Sequence, residues 1–331
     1  METETVVETL LELPLDVLMD IFSLLELPDL IRASSVCSFW RSAYSSLHSQ
    51  LGQYKRPQTP CLLYASEADG ENVASLYSLA EKRVYKLTLP DPPIRTRHLI
   101  GSSNGWLVTA DEKSELHLFN PITGQQIALP SAITKKYISF ARVGDYKWTS
   151  LPGKNYKQCI HMDGLLYAFA ETGGVYAFDL TGPTIMSYII ADEMENYISG
   201  TDGDMGDLLQ VCRKSDVTEE LLVQTEKVLL YKADMAAKKL VEVNGLHDHV
   251  LFLGRSQSQC LSAEAYPQLK KNCVYFTDDE IYVSHYKNNR RDIGILNLGN
   301  DSTEEIVSQL WCNWPNPIWI TPNLTSMNAN S

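Results

Sequence analysis

A short stretch near the start of the chain carries more apolar surface than a small helical unit can bury by itself. Between residues 13 and 25 the polar side chains are those of Asp16, Asp20 and Ser23. Their spacing of i, i+4 and i+7 places them in one narrow stripe of a helix and leaves most of the circumference apolar. An ordinary surface helix has an apolar stripe of only about 100°. The pattern predicts that one side of this helix faces its own small domain and the other side faces a partner.

Turn and capping residues divide this region into three helices between residues 13 and 47. Pro14 suits the start of the first helix, Pro28 the start of the second, and Ser34-Ser35 a cap for the third. A unit shorter than about 40 residues rarely stays folded without disulfides, metal or association. We therefore expect these helices to pack on the following domain or on another protein. The alternative is an N-terminal cap packed wholly on its own globule.

The order of residues in this stretch resembles an F-box, a family whose pattern is Leu-Pro, an apolar helix, Leu-Pro-x-x-Leu and Val-Cys/Ser-x-x-Trp. The matching residues are Leu13-Pro14, Val17-Leu18, Ile21-Phe22, Leu27-Pro28, Leu30, Val36-Cys37 and Trp40. The basic residue that many members place before the Trp is absent, because Ser38-Phe39 precede Trp40. That difference bears on a peripheral polar contact.

The resemblance implies that this unit docks onto a Skp-type adaptor, which connects it to a cullin and a RING subunit in an SCF ubiquitin ligase. Carried over by position, the main adaptor contacts are Pro14, Val17, Leu18 and Ile21. The supporting contacts implied in the same way are Leu13, Phe22, Leu27 and Leu30.

Composition and charge favour an intracellular interaction protein. The chain has 331 residues, 44% of them hydrophobic, and a net charge of -13. Residues 1–52 and the remainder are each net acidic, so neither part has the basic face that nucleic acid or an anionic membrane requires. No apolar run approaches the ~20 residues that span a bilayer, and the acidic start argues against a secretory or transit signal. We expect a cytosolic or nuclear protein.

Chemistry-bearing motifs have little support, and we expect no cofactor, no metal and no catalysis. The seven cysteines stand singly, without the two-residue spacing of zinc sites, at positions 37, 61, 159, 212, 260, 273 and 312. His247 and His249 have no third ligand at a useful spacing, and the segment 202–207 lacks the distal Glu of a calcium loop. The sequence contains no phosphate-loop motif and no dinucleotide motif after a strand.

From about Tyr54 onward, short runs rich in Val, Tyr, Phe, Leu and Ile alternate with Gly, Asn, Asp and Pro, as in many short antiparallel strands. One unit consists of a strand after Asn104-Gly105, a turn, and a second strand that ends in Phe119-Asn120. The same unit recurs further along the chain, with its first strand after Asp163-Gly164 and its second ending in Phe178-Asp179. Such units are typical of four-stranded propeller blades. At ~40 to 45 residues per blade, residues 55–325 predict about six blades. An array of β-sandwiches is the rival interpretation.

The second part also resembles a known family, the plant KIB-type domain, a kelch-related β-propeller commonly found behind an F-box. The matching landmarks, in order, are residues 145–149, 160–167, 174–180, 249–254, 272–279 and 314–319. The expected fold is therefore α+β and multidomain: a small three-helix F-box followed by an all-β propeller. The expected divisions are a disordered tail at 1–10, the F-box at 11–50, the propeller at 55–325 and a frayed tail at 326–331.

The two resemblances together imply a non-catalytic substrate-recognition subunit of an SCF-type ligase, with a protein target held by the propeller. The target-binding residues cannot be named from the sequence. Two other functions stay open: an F-box protein that binds the adaptor but acts outside a ligase as an assembly or sequestering module, and a propeller enzyme with acidic loops.

Overall fold

A computed structural model of the chain describes residues 13–49, 58–130, 138–142, 145–170, 172–182, 184–192, 202–204, 209–217, 223–234, 236–278, 291–306 and 314–324. The expected tails at 1–10 and 326–331 lie outside the described residues. Three helices are followed by strands, and one short 3-10 turn occurs at Ile94–Thr96. The predicted fold, a three-helix unit followed by an all-β propeller, is confirmed.

The three predicted helices are α1 (Leu15–Phe22), α2 (Leu27–Ser34) and α3 (Ser38–Ser49). Their shared core contains Leu18, Phe22, Leu27 and Leu30 from the first two helices, and α3 adds Ala43 and Leu47. The ring of Trp40 meets that of Phe22 edge to face, with 5.5 Å between their centroids. The helices therefore enclose a small core between them.

The strands of the described residues form five sheets of four or five strands, called blades here, and one two-stranded ribbon. Blade 1 begins with β1 (Cys61–Tyr64), β2 (Val73–Ser78) and β3 (Arg83–Thr88). Blade 2 contains β4 (His98–Ser103), β5 (Trp106–Ala110), β6 (Leu116–Phe119) and β7 (Gln126–Ala128). The ribbon contains β8 (Ser139–Phe140) and β9 (Thr149–Ser150). Blade 3 contains β10 (Tyr156–Met162), β11 (Leu165–Ala170), β12 (Val175–Asp179) and β13 (Met186–Ala191).

The remaining two blades follow in chain order. Blade 4 contains β14 (Asp202–Asp204), β15 (Leu209–Val217), β16 (Val223–Asp234) and β17 (Lys239–Val243). Blade 5 contains β18 (His249–Leu253), β19 (Gln259–Ser262), β20 (Cys273–Phe276), β21 (Gly294–Asn297) and β22 (Ser302–Glu304). The last strand, β23 (Ile318–Ile320), returns to blade 1 and pairs antiparallel with β1, with Leu62 opposite Trp319. This pairing closes the ring.

Local turn chemistry explains why the predicted hairpins form. Asn104 and Gly105 both have positive φ, as do Asp163 and Gly164, which is the geometry of a tight hairpin turn that Asn-Gly and Asp-Gly favour. Asn120, at the end of β6, accepts hydrogen bonds through Oδ1 from the backbone N–H groups of residues 122 and 123 and so begins the next turn. The recurring Gly-strand-aromatic-Asn/Asp unit thus encodes two successive turns of one blade.

Alternating side chains of each strand build the cores between blades. From β1, Cys61 and Leu63 join the core shared with blade 2, whereas Leu62 and Tyr64 join the core shared with blade 5. Separate apolar clusters join blade 3 to blade 4 and blade 4 to blade 5. At the boundary between blades 2 and 3, Phe140 of the ribbon and Ile138, just before the ribbon, pack on blade 3. The ring order of the described blades is therefore their order in the chain.

The expectation of about six blades is wrong for the described residues, which form five. The estimate assumed evenly spaced units, but the first strands of the blades begin at residues 61, 98, 156, 202 and 249. A two-stranded ribbon occupies the long connection between blades 2 and 3, and β23 completes blade 1 instead of starting a blade of its own. Extra length in connections thus reduces the number of blades.

The sequence also predicts that residues 207–212 pair with 228–232 and that 273–276 pair with 281–283. The first pairing is confirmed for the described residues 209–212, and residues 281–283 lie outside the described residues. In blade 4, Cys212 lies opposite Leu229. In blade 5, β20 pairs antiparallel with β21 and parallel with β18. No helix of the described residues has the length and apolar character needed to cross a membrane.

Replacing Trp319 with Ala tests the closure. Trp319 is 2% exposed and its ring meets those of Phe252 and Tyr275 in the core between blades 1 and 5. Loss of a buried Trp costs about 3 to 5 kcal/mol, so chemical denaturation of the full chain should show a large drop in the unfolding midpoint. Tyr146, which is 85% exposed, supplies the control substitution Tyr146→Ala. Equal midpoints for the two variants would contradict a closing role for β23.

Candidate functional site

Helix α1 carries the surface on which the sequence prediction rests. Pro14 immediately precedes it, with φ of -55°, and its carbonyl oxygen accepts the first helical hydrogen bond from the Leu18 N–H at 3.0 Å. Proline is tolerated here because the N–H groups at a helix start have no intrahelical acceptor. At the other end, the Ser23 hydroxyl donates to the Asp20 carbonyl oxygen at 2.7 Å. From their spacing, the polar stripe of Asp16, Asp20 and Ser23 is expected to face water; this is wrong for Ser23, which is buried.

One side of α1 is apolar and exposed. We define the α1 stripe as Pro14, Val17, Ile21 and Leu24, which follow one another at helical spacing along one face. The side chains of Val17, Ile21 and Leu24 are 40%, 43% and 60% exposed. Contiguous exposed apolar side chains of this kind mark an interaction surface more often than isolated ones do.

Two acids flank the stripe. Asp16 and Asp20 are exposed on α1 one turn apart, next to Val17 and Ile21 along the chain. Asp16 lies in the first turn, where the helix dipole favours a negative charge. The surface is therefore an apolar strip with an acidic border.

The eight predicted adaptor contacts fall into two groups. Pro14, Val17 and Ile21 are exposed, and Leu13 is half-buried. The other four lie in the core of the helical unit, with exposures of 2% or less: Leu18, Phe22, Leu27 and Leu30. In this structure the buried group sets the shape of the unit and the exposed group is available for contact. The assignment of all eight as adaptor contacts stays a prediction.

Further exposed apolar side chains in this unit were not assigned from the sequence. They are Leu15 on α1, Leu24 just after α1, and Ile31 on α2. Val36, a landmark of the F-box pattern, is also exposed, in the turn between α2 and α3. For Leu24 the signal was present, because it continues the spacing of Val17 and Ile21 beyond the end of the helix. Ile31 is adjacent to the buried Leu30 and has no such signal.

The opposite side of the unit is fixed to the propeller at the start of α2. The Leu27 N–H donates to Oε1 of Gln58, just before β1, at 2.7 Å. The first N–H groups of a helix need acceptors from outside it, and the N-cap residue Glu26 makes no such side-chain bond. Gln58 therefore caps α2 from the propeller.

A second buried contact joins the same helix end to two blades. The Thr59 hydroxyl donates to Oε1 of Glu26 at 2.8 Å, and Gln268 of blade 5 donates through Nε2 to the Thr59 hydroxyl. Glu26, Gln58 and Thr59 are all buried. Buried polar groups are costly unless satisfied, so these bonds fix the orientation of α2 against the propeller.

An exposed charged contact lies further along α2. Arg32 pairs with Glu81 and hydrogen-bonds the Tyr85 hydroxyl, and that hydroxyl donates to Glu81 at 2.6 Å. The hydrogen bond to Tyr85 raises the pKa of Arg32, so the guanidinium stays charged. Burial, followed by the hydrogen bond with Glu81, raises the pKa of Tyr85. Because Arg32 is exposed, solvent screening keeps the contribution of this contact small.

Apolar contacts complete the interface between the helical unit and the propeller. Ile122, in the turn between β6 and β7, and Leu324, after β23, pack against the core of the helical unit. The unit thus rests on blades 1, 2 and 5 and still presents the α1 stripe. Among the residues that the structure describes, no three His, Cys, Asp or Glu side chains are grouped as a metal site would require.

Comparison with known proteins agrees with this two-part organisation. A family model described as KIB1-4 beta-propeller matches residues 76–136 and 132–297, and one described as F-box-like matches residues 10–51. The chain is 23% identical to F-box/kelch-repeat protein At1g57790 of Arabidopsis thaliana, over 81% of this chain and 82% of the relative. It is 22% identical to F-box/kelch-repeat protein KIB1 of the same plant, over 82% of this chain and 78% of the relative.

Removing the Gln58 cap from α2 should weaken the attachment of the helical unit to the propeller. In Gln58→Ala, the buried Leu27 N–H loses its acceptor, which costs about 1 to 3 kcal/mol. Hydrogen exchange at the start of α2 should accelerate by about five- to a hundredfold. The control Arg32→Met removes the exposed pair and should change the rate by less than about fivefold. A larger effect in the control would mean that the charged contact holds the helix.

Proposed function

This chain belongs to the KIB1-4 beta-propeller family and carries an F-box-like segment before its propeller, and from this we propose that it is the substrate-recognition subunit of an SCF-type ubiquitin ligase. In this proposal the α1 stripe binds a Skp-type adaptor, which brings a cullin and a RING subunit. The propeller binds a protein target, and the complex acts in the cytosol or the nucleus.

The observation that carries the proposal is the exposure of Val17 and Ile21 in the described structure. The helical unit uses its inner side for its own core and its α2 end for the seat on the propeller. After both contacts are made, an apolar strip is still uncovered. F-box units in general bind Skp-type adaptors, and an apolar strip is suited to the buried centre of such an interface.

The proposed mechanism is positional and requires no bond chemistry from this chain. Buried hydrogen bonds from Gln58, Thr59 and Gln268 fix the helical unit on the propeller. A target on the propeller is then held at one distance from the ligase rather than on a loose tether. Holding a lysine near the charged E2 raises its effective concentration, which is the contribution of a receptor subunit.

Adaptor binding is tested by introducing negatively charged side chains into the α1 stripe. In the double variant Val17→Asp/Ile21→Asp, two carboxylates enter the apolar centre of the proposed interface, and affinity for a Skp-type adaptor should fall at least about a hundredfold. The substituted side chains are exposed, so the melting temperature should change little. Affinity is measured by titrating purified adaptor into the full chain.

The matched control is Val241→Asp on β17, because Val241 is 43% exposed, as Ile21 is, but belongs to the propeller. It should bind the adaptor as the wild type does. Equal affinity for wild type, double variant and control would exclude the α1 stripe as the docking surface. Loss in both variants would point to general unfolding, which the melts would reveal.

The ligase role is tested by whether proteins captured by the chain become ubiquitinated. Tagged wild-type chain and the double variant, expressed in plant cells, should capture at least one protein in common through the propeller. Only the wild type should copurify the cullin and increase the ubiquitin carried by that protein. If the wild type binds the adaptor without cullin, and no captured protein gains ubiquitin, the chain acts outside a ligase as an assembly or sequestering module.

A further inference from the structure

The outer edge strand of blade 3 differs from its counterparts in the other blades. Four successive residues of β13 are exposed, and three of them are large apolar side chains that are each about half exposed: Met186, Tyr188 and Ile189. The strand contains no charged residue. Native proteins rarely leave a long apolar edge uncovered, because such an edge invites pairing with another chain.

The other outer edge strands have the protection that β13 lacks. Charged side chains are exposed on β3, at Arg83 and Lys86, and on β17, at Lys239 and Glu242. β7 and β22 have only three residues each. Charged side chains and short length are two common means of keeping an edge strand from pairing. β13 has six residues and no charge, so it has neither protection.

The hydrogen-bonding edge of β13 is open. One side of the strand pairs antiparallel with β12 over residues 186–191, and no described strand pairs with its other side. The backbone bond to blade 4 comes after the strand, from the Asp192 N–H to the Lys238 carbonyl oxygen at 3.0 Å. The backbone groups of β13 that point away from β12 are therefore available to an added strand.

Both faces of this edge are apolar. Residues directly opposite each other in an antiparallel pair lie on the same face of the sheet. Tyr188 lies opposite Ala177, which belongs to the core shared with blade 4. Ile189 lies opposite Tyr176, which packs in the cluster shared with the ribbon. A strand added to β13 would therefore meet apolar side chains on both of its faces.

The charges at the two ends of β13 are balanced. At its start, Arg142 donates to carbonyl oxygens of the turn that leads into the strand, and Asp179 lies opposite the first residue of the strand. At its end, Asp192 is bonded to the backbone of Lys238. A charged side chain brought against the middle of the strand would lose water without gaining a partner. The edge therefore complements an uncharged segment.

We propose that β13 binds an extended segment of a partner protein, which adds to blade 3 as a further strand. The segment is uncharged over about six residues and is rich in β-branched or aromatic side chains. Main-chain hydrogen bonds hold it to the open edge of β13. Its side chains pack on Met186 and Tyr188 on one face of the sheet and on Ile189 on the other.

A second copy of this chain is a poorer occupant of the edge. A stable dimer interface takes about 20 to 30 residues from each partner, whereas this edge consists of the six residues of β13. Each copy also carries a net charge of -13, which opposes the approach of another copy. A single extended segment needs only the edge itself.

Binding at β13 is independent of the helical unit. That unit contacts blades 1, 2 and 5, whereas β13 belongs to blade 3. A segment on β13 therefore leaves the α1 stripe uncovered. The proposal does not rest on adaptor binding or on a ligase role, and either can fail without the other.

A library of displayed nonapeptides supplies the probe. The library is selected on the full-length chain and counter-selected on the variant Ile189→Lys, because a Lys side chain on an edge strand opposes pairing. We expect the enriched peptides to share about five or more consecutive uncharged residues, rich in Val, Ile, Thr, Tyr and Phe. Enrichment of charged sequences, or of no sequence, would contradict the proposal.

A second variant locates the binding. The most enriched peptide is titrated into the purified full-length chain, and Tyr188→Lys should weaken its binding at least about tenfold, because a charge is desolvated without a partner. Val241→Lys, at an exposed apolar position on the outer edge strand of blade 4, should have no effect. These side chains are exposed, so both variants should melt as the wild type does. Equal affinity for wild type and Tyr188→Lys would exclude β13.

Residue-resolved hydrogen exchange distinguishes strand addition from unspecific adhesion. Alternate N–H groups of a strand point to the same side, so the bound peptide should slow exchange at every second residue of β13. Binding without this alternating protection would mean that the peptide adheres to apolar side chains without pairing, and the proposal would be wrong.

Light scattering on the full-length chain tests the second copy as occupant. If the wild type is a dimer and Tyr188→Lys is a monomer, β13 pairs with itself and the proposal of a partner segment is wrong. A monomeric wild type that still binds the peptide supports the proposal.

Discussion

Pairing between β23 and β1 closes the ring, and the residues that follow β23 carry this closure to the helices. Ile318 and Ile320 fill the core between blades 1 and 2, and Trp319 fills the core between blades 1 and 5. The Trp319 carbonyl oxygen accepts a hydrogen bond from the Ser102 hydroxyl of blade 2. Leu324 then packs against the helical unit. The ring and the attachment of the helices to it consequently depend on one short segment, and loss of its strand pairing would affect both together.

The sequence predicted only in part which side chains of α1 are exposed and which are buried. Helical periodicity, Pro14 and Pro28 are local signals, and they were enough to predict three helices and an excess of apolar surface. They could not separate Val17 and Ile21, which are exposed, from Leu18 and Phe22, which are buried. That separation depends on the side against which α3 packs, and side chains of α3 such as Ala43 and Leu47 give no directional signal in the sequence.

Contacts between distant parts of the chain were beyond sequence reasoning. The hairpins after Asn104-Gly105 and Asp163-Gly164 were predicted because the turn residues themselves require the geometry. Gln58 and Gln268 are ordinary polar residues whose importance comes from meeting α2 and Thr59, far away in the chain. The blade number was wrong because connection lengths, unlike turns, follow no local rule.

The contacts that fix the helical unit on the propeller come from parts of the chain that are synthesised at different times. The helices leave the ribosome before the propeller, with Gln58 and Thr59 soon after them, whereas Gln268 and Leu324 follow only after the first four blades. During most of translation the unit has an incomplete support and too small a core to hold its shape reliably. A partner that binds the α1 stripe in its fixed position therefore meets only chains whose ring has closed. The order of synthesis therefore selects complete propellers for partner binding. In unfinished or truncated copies, α1 lacks the contacts that fix its position on the propeller.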